Sequence, residues 1–74
     1  MAKVVLRVRL TTGDHLDVTY EEAGNDDPVA VAEHAIAVLA DNSGVLRSTH
    51  GDRLLALYGR GVAAVEVAPR GAVL

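Results

Sequence analysis

The sequence predicts an α+β domain: an antiparallel sheet of four or five strands in the order ββαβββ, with one helix packed on one face. Three observations carry this. Residues 3 to 10 and 14 to 21 alternate apolar and polar side chains. Residues 28 to 40 carry an apolar stripe at helical spacing. The last thirty residues return to short apolar runs separated by glycine turns. A chain of 74 residues buries too little surface for two cores, so 1–74 is read as a single domain.

In the first strand Val4, Leu6, Val8 and Leu10 share one face, and Lys3, Val5, Arg7 and Arg9 share the other. The second repeats the pattern, with Leu16, Val18 and Tyr20 on the apolar side and His15, Asp17, Thr19 and Glu21 on the polar side. Thr11-Thr12-Gly13 reads as a three-residue hairpin loop whose glycine takes the left-handed position. That loop sets Val8 opposite Leu16, Leu6 opposite Val18 and Val4 opposite Tyr20. Arg7 then faces Asp17 and Lys3 faces Glu21, so both faces are chemically matched.

Asp27-Pro28 reads as a helix start, because the carboxylate can accept from free backbone amides and proline sits where no amide hydrogen is needed. The helix runs to about Ala40. Val31, Ala32, Ala35, Ile36, Val38 and Leu39 form its apolar stripe, and Ala30, Glu33, His34, Ala37 and Asp41 lie toward water. Asp41-Asn42-Ser43-Gly44 ends it, with Asn42 or Gly44 expected in a left-handed cap.

Three further strands follow: Val45 to Ser48, Arg53 to Tyr58, and Gly61 or Val62 to Ala68, before Pro69 interrupts the ladder. His50-Gly51 and Gly59-Arg60-Gly61 supply the turns. A hairpin at the second turn pairs Leu55 with Val65 and Leu57 with Ala63, leaving Leu54, Ala56, Tyr58, Val62, Ala64 and Glu66 on the other face. One helix covers one face, yet these strands are apolar on both, as strands buried on both sides are. A second copy of the chain, or another protein partner, is the expected cover, with Leu54, Ala56, Tyr58, Val62 and Ala64 as interface candidates. The tail from Pro69 to Leu74 is expected to fray or to dock as a last edge segment.

Composition narrows the chemistry. There is no cysteine, which excludes disulfides, iron–sulfur clusters and zinc–thiolate sites. The longest apolar stretch, Val29 to Ala40, is interrupted by Glu33 and His34 and falls short of the roughly 20 residues that span a bilayer. The amino end lacks the order of a signal peptide, so a cytoplasmic protein without membrane contact is expected. His15, His34 and His50 lie on separate elements, and no pair has the spacing of a zinc site. Ser43 and Ser48 lack the glycine-flanked elbow of a nucleophilic serine. Gly59-Arg60-Gly61 lacks the following helix and the lysine of a phosphate loop. Glu21-Glu22 and Asp26-Asp27 match no calcium-loop spacing. The expectation is therefore a non-enzymatic interaction or structural module that forms a homodimer, with no catalytic residue, metal or cofactor.

The competing reading is a small nucleic-acid-binding or regulatory protein that uses a sheet face bearing Arg7, Arg9 and Arg47. A net charge of −3 and the scarcity of aromatic residues weigh against it. The order of elements, with Arg-Leu-Leu-Ala-Leu-Tyr at 53–58, loosely resembles a ubiquitin-like β-grasp. The carboxyl end lacks the Gly-Gly that such modifiers use, and no function is carried across.

Overall fold

In the computed structural model, which describes residues 2–67, five strands and one helix follow in the expected order. They are β1 (Ala2–Leu10), β2 (His15–Glu22), α1 (Pro28–Ala40), β3 (Val45–His50), β4 (Arg53–Tyr58) and β5 (Val62–Val67), with a short 3-10 turn at Gly59–Gly61. Ala68 and the tail from Pro69 lie outside the described residues.

The first hairpin has the register its loop dictates: Val4 pairs with Tyr20, Leu6 with Val18, Arg7 with Asp17 and Val8 with Leu16. Gly13 takes a φ of 95° and donates its N–H to the Leu10 carbonyl at 3.0 Å, a conformation that glycine adopts without a Cβ clash. Ahead of α1, the Asp27 carboxylate accepts the Val29 N–H at 3.0 Å. Val31, Ala32, Ala35 and Leu39 then pack against Val4, Leu6, Val8, Val18, Leu46 and Leu57 to form the core. This buried stripe is narrower than the apolar pattern, and Ile36 lies at its flank, 41% exposed.

The end of α1 differs from expectation. Neither Asn42 nor Gly44 is left-handed. Asp41 is extended, and its carboxylate accepts the Ser43 amide at 2.9 Å and the Ser43 hydroxyl at 2.8 Å, so a side-chain turn replaces the glycine cap. Gly44 is needed for a different reason. A Cβ there would overlap the Val38 carbonyl, and one on Gly59 would overlap that of Asp41. The chain on either side of the β3–β4 hairpin is thus pressed onto the helix end, tied by the Gly59 N–H to the Gly44 carbonyl at 2.9 Å.

The sheet is antiparallel throughout, in the order β4-β3-β2-β1-β5. The expected β4–β5 hairpin is therefore absent, and those strands occupy opposite edges. β5 pairs instead with β1, placing Val65 beside Val8 and Val67 beside Leu6, which extends the helix-covered face of the most buried strand. Glu66 then faces Arg7 on the outer side. The register shifts between Arg9 and Leu10, bringing Val62 opposite Leu10. That irregularity turns Val62 toward the core, where it packs, rather than onto the face of Leu54 and Tyr58.

This order forces curvature. A flat sheet would separate β4 from β5 by four strand spacings, about 19 Å, whereas the chain from Tyr58 to Val62 reaches at most about 14 Å. The sparsest pairing, which leaves the sheet room to bend, is between β2 and β3, where Thr19 with Thr49 is the one paired position among the described residues.

Candidate interaction surface

The β3–β4 hairpin turns through Gly51-Asp52, with Gly51 at a φ of 63° and Asp52 at a negative φ. This is the two-residue turn with glycine first, whose twist matches that of the flanking strands. The ladder then runs without a slip from His50–Arg53 to Val45–Tyr58. Leu46, Ser48 and Leu57 point to the core, so Val45, Arg47, Leu54, Ala56 and Tyr58 point outward. Leu54 is 72% exposed, Tyr58 49% and Val45 44%, an apolar group with no cover among the described residues. The Arg60 guanidinium lies 5.1 Å from the centre of the Tyr58 ring, which places this charge beside the same surface.

Backbone polarity at this edge follows from the turn. A two-residue loop makes His50 and Arg53 a hydrogen-bonded pair, and the alternation continues through Ser48–Leu55 and Leu46–Leu57 to the observed Gly44–Gly59 bond. Leu54, Ala56 and Tyr58 occupy the intervening positions. Their N–H and C=O groups therefore point away from β3, along the free edge, except that the Tyr58 carbonyl is taken up by the 3-10 turn it caps.

Of the interface candidates, Leu54, Ala56 and Tyr58 are thus together. Ala64, opposite Arg9, shares the outer face but lies on the far edge, and Val62 faces the core side. The basic candidates are dispersed. Arg7 pairs with Asp17 at 3.1 Å and Arg9 with Glu66 at 3.8 Å, while Arg47 sits on β3 with β2 between it and β1. His50 ends β3 and donates from Nδ1 to the Asp17 carbonyl at 2.6 Å, and His15 is exposed. Among the described residues no three His, Asp or Glu side chains gather as a metal site, and no helix is long and apolar enough to cross a membrane.

One polar cluster was not read from the sequence. Glu22 accepts the Tyr20 hydroxyl at 2.8 Å and the Asn25 amide at 3.2 Å, and His34 Nδ1 lies 2.8 Å from the same carboxylate. His34, then Tyr20, hold the Glu22 carboxyl below its ordinary value. Burial, then the bond to Glu22, pushes the Tyr20 phenol up to about 12. The cluster joins the end of β2 to α1. The available signal was the period of two: Glu22 follows Leu16, Val18 and Tyr20 on the apolar face, and a charge there needs partners.

Comparison with protein-family models, curated proteins and solved structures yields no match to this chain. The loose likeness to a β-grasp gains no support from it. What the geometry defines is a small α+β domain with one helix on a curved antiparallel sheet.

Proposed function

We propose that this chain is a non-enzymatic interaction module that associates with a second copy of itself through the outer surface of the β3–β4 hairpin. The observation that carries the reading is the exposed group of Leu54, Tyr58 and Val45 on the face opposite the helix. Apolar side chains grouped in this way mark association sites, and tyrosine supplies a large apolar body with a hydroxyl suited to a wet rim. A short chain without disulfides also gains stability from a partner, which ties folding to concentration.

Sedimentation velocity tests this directly. The wild type should sediment as a dimer at concentrations well above the micromolar range of a specific interface. Leu54→Glu combined with Tyr58→Glu should give a monomer with the same circular dichroism, because both side chains lie outside the core. A wild type that stays monomeric at about 100 µM would overturn the reading.

A further inference from the structure

We infer that the two copies join edge to edge, β4 against β4 of the second copy, antiparallel about a two-fold axis at Ala56, so that the two sheets continue as one. This rests on the self-association reading and adds the geometry and register of the contact.

The first ground is the edge itself. Leu54 and Ala56 carry outward N–H and C=O groups and Tyr58 an outward N–H, none of them bonded to β3, while the Tyr58 carbonyl, at the N-cap of the 3-10 turn, accepts from Gly61. A two-fold axis at Ala56 pairs Leu54 with Tyr58 of the partner subunit and Ala56 with its own copy. That register runs along the strand and allows about four intermolecular backbone hydrogen bonds. On the outer face it lays each exposed Leu54 against a tyrosine ring of the partner subunit.

The second ground is charge. The same register brings Asp52, in the turn before β4, toward the 3-10 turn of the partner subunit that carries Arg60 after β4, and does so twice by symmetry. Arg60 already stands beside Tyr58, on the outer side. Within the chain neither Asp52 nor Arg60 forms an ion pair among the described residues. The edge is self-complementary in hydrogen bonding and in sign of charge.

The third ground is the contrast with the other edge. β5 carries a register shift at its start and a charge, Glu66, next to its last residue, two features that discourage pairing. β4 has no register shift, and from Leu54 to Tyr58 it carries no charge and no proline.

Two sets of variants test the inference by sedimentation. Ala56→Pro replaces an outward N–H at an edge strand, where proline is tolerated, and leaves the apolar face in place. It should fold as the wild type does and be monomeric. Asp52→Arg and Arg60→Asp should each weaken the dimer by about tenfold at low salt, since each creates two like-charge pairs. An equimolar mixture of the two should recover wild-type affinity as a heterodimer, because each chain then meets opposite charge at both ends. A folded Ala56→Pro chain that still dimerises, or a mixture no tighter than its components, would overturn edge pairing while self-association stands. Should Ala56→Pro fail to fold, the charge-reversed mixture decides. A wild type monomeric at about 100 µM removes the underlying reading and the edge pairing together.

Discussion

Tyr20 shows what a single residue's position in the pattern reveals and what it hides. Its alternation with Leu16 and Val18 placed it on the helix-covered face, and it packs there. Its hydroxyl partner was less legible. Glu22 is adjacent on the same strand face, but His34 lies 12 positions further on, and only the packing of α1 brings it within 2.8 Å of the carboxylate. The consequence is measurable at high pH. The folded phenol has a value raised from 10.0 to about 12, so its contribution to stability is full below pH 10 and is lost as pH rises through about 12. In a Tyr58→Phe chain Tyr20 is the sole phenol, and its ultraviolet titration should have a midpoint near 12 while the chain remains folded. A midpoint near 10 would mean that Tyr20 is neither buried nor bonded to Glu22.

Among the elements, α1 separates the legible from the illegible at its two ends. Its start follows from two adjacent residues: Asp27 has the side chain that reaches the Val29 amide, and Pro28 lacks the hydrogen that would need a partner. Its end does not follow from residue preference. Gly44 looked like a left-handed cap, yet it is glycine because the chain passes against the Val38 carbonyl, a contact set by the later β3–β4 hairpin. Asp27→Ala should therefore cost about 0.5 to 2 kcal/mol in urea denaturation at constant protein concentration. An unchanged midpoint would show that the cap is dispensable and that packing of Val31 and Ala35 alone sets the start.

For the molecule as a whole, strand order was the part the sequence left open. Two apolar runs around Gly59-Arg60-Gly61 suit a hairpin as well as they suit a crossover, and only the demand of β1 for a neighbour on each side distinguishes them. The resulting sheet is unevenly knit. β1 is bonded along both edges, to β2 and β5, whereas β2 and β3 share one paired position, supplemented by Thr49 Oγ1 to the Thr19 carbonyl at 3.4 Å and His50 Nδ1 to the Asp17 carbonyl at 2.6 Å. Amide exchange should report this directly, since it follows the local free energy of opening. Leu6, Arg7 and Val8 should exchange only through global unfolding, because each amide meets a paired neighbour on one side or the other. On β3 the pattern should alternate. The Leu46 and Ser48 amides face β4 and should be protected, while that of Arg47 faces the seam beyond its single paired position and should exchange nearly as an open amide. Equal protection of Leu46 and Arg47 would mean that β2 and β3 zip along their full length, and the curvature that brings Tyr58 within reach of Val62 would then need another source.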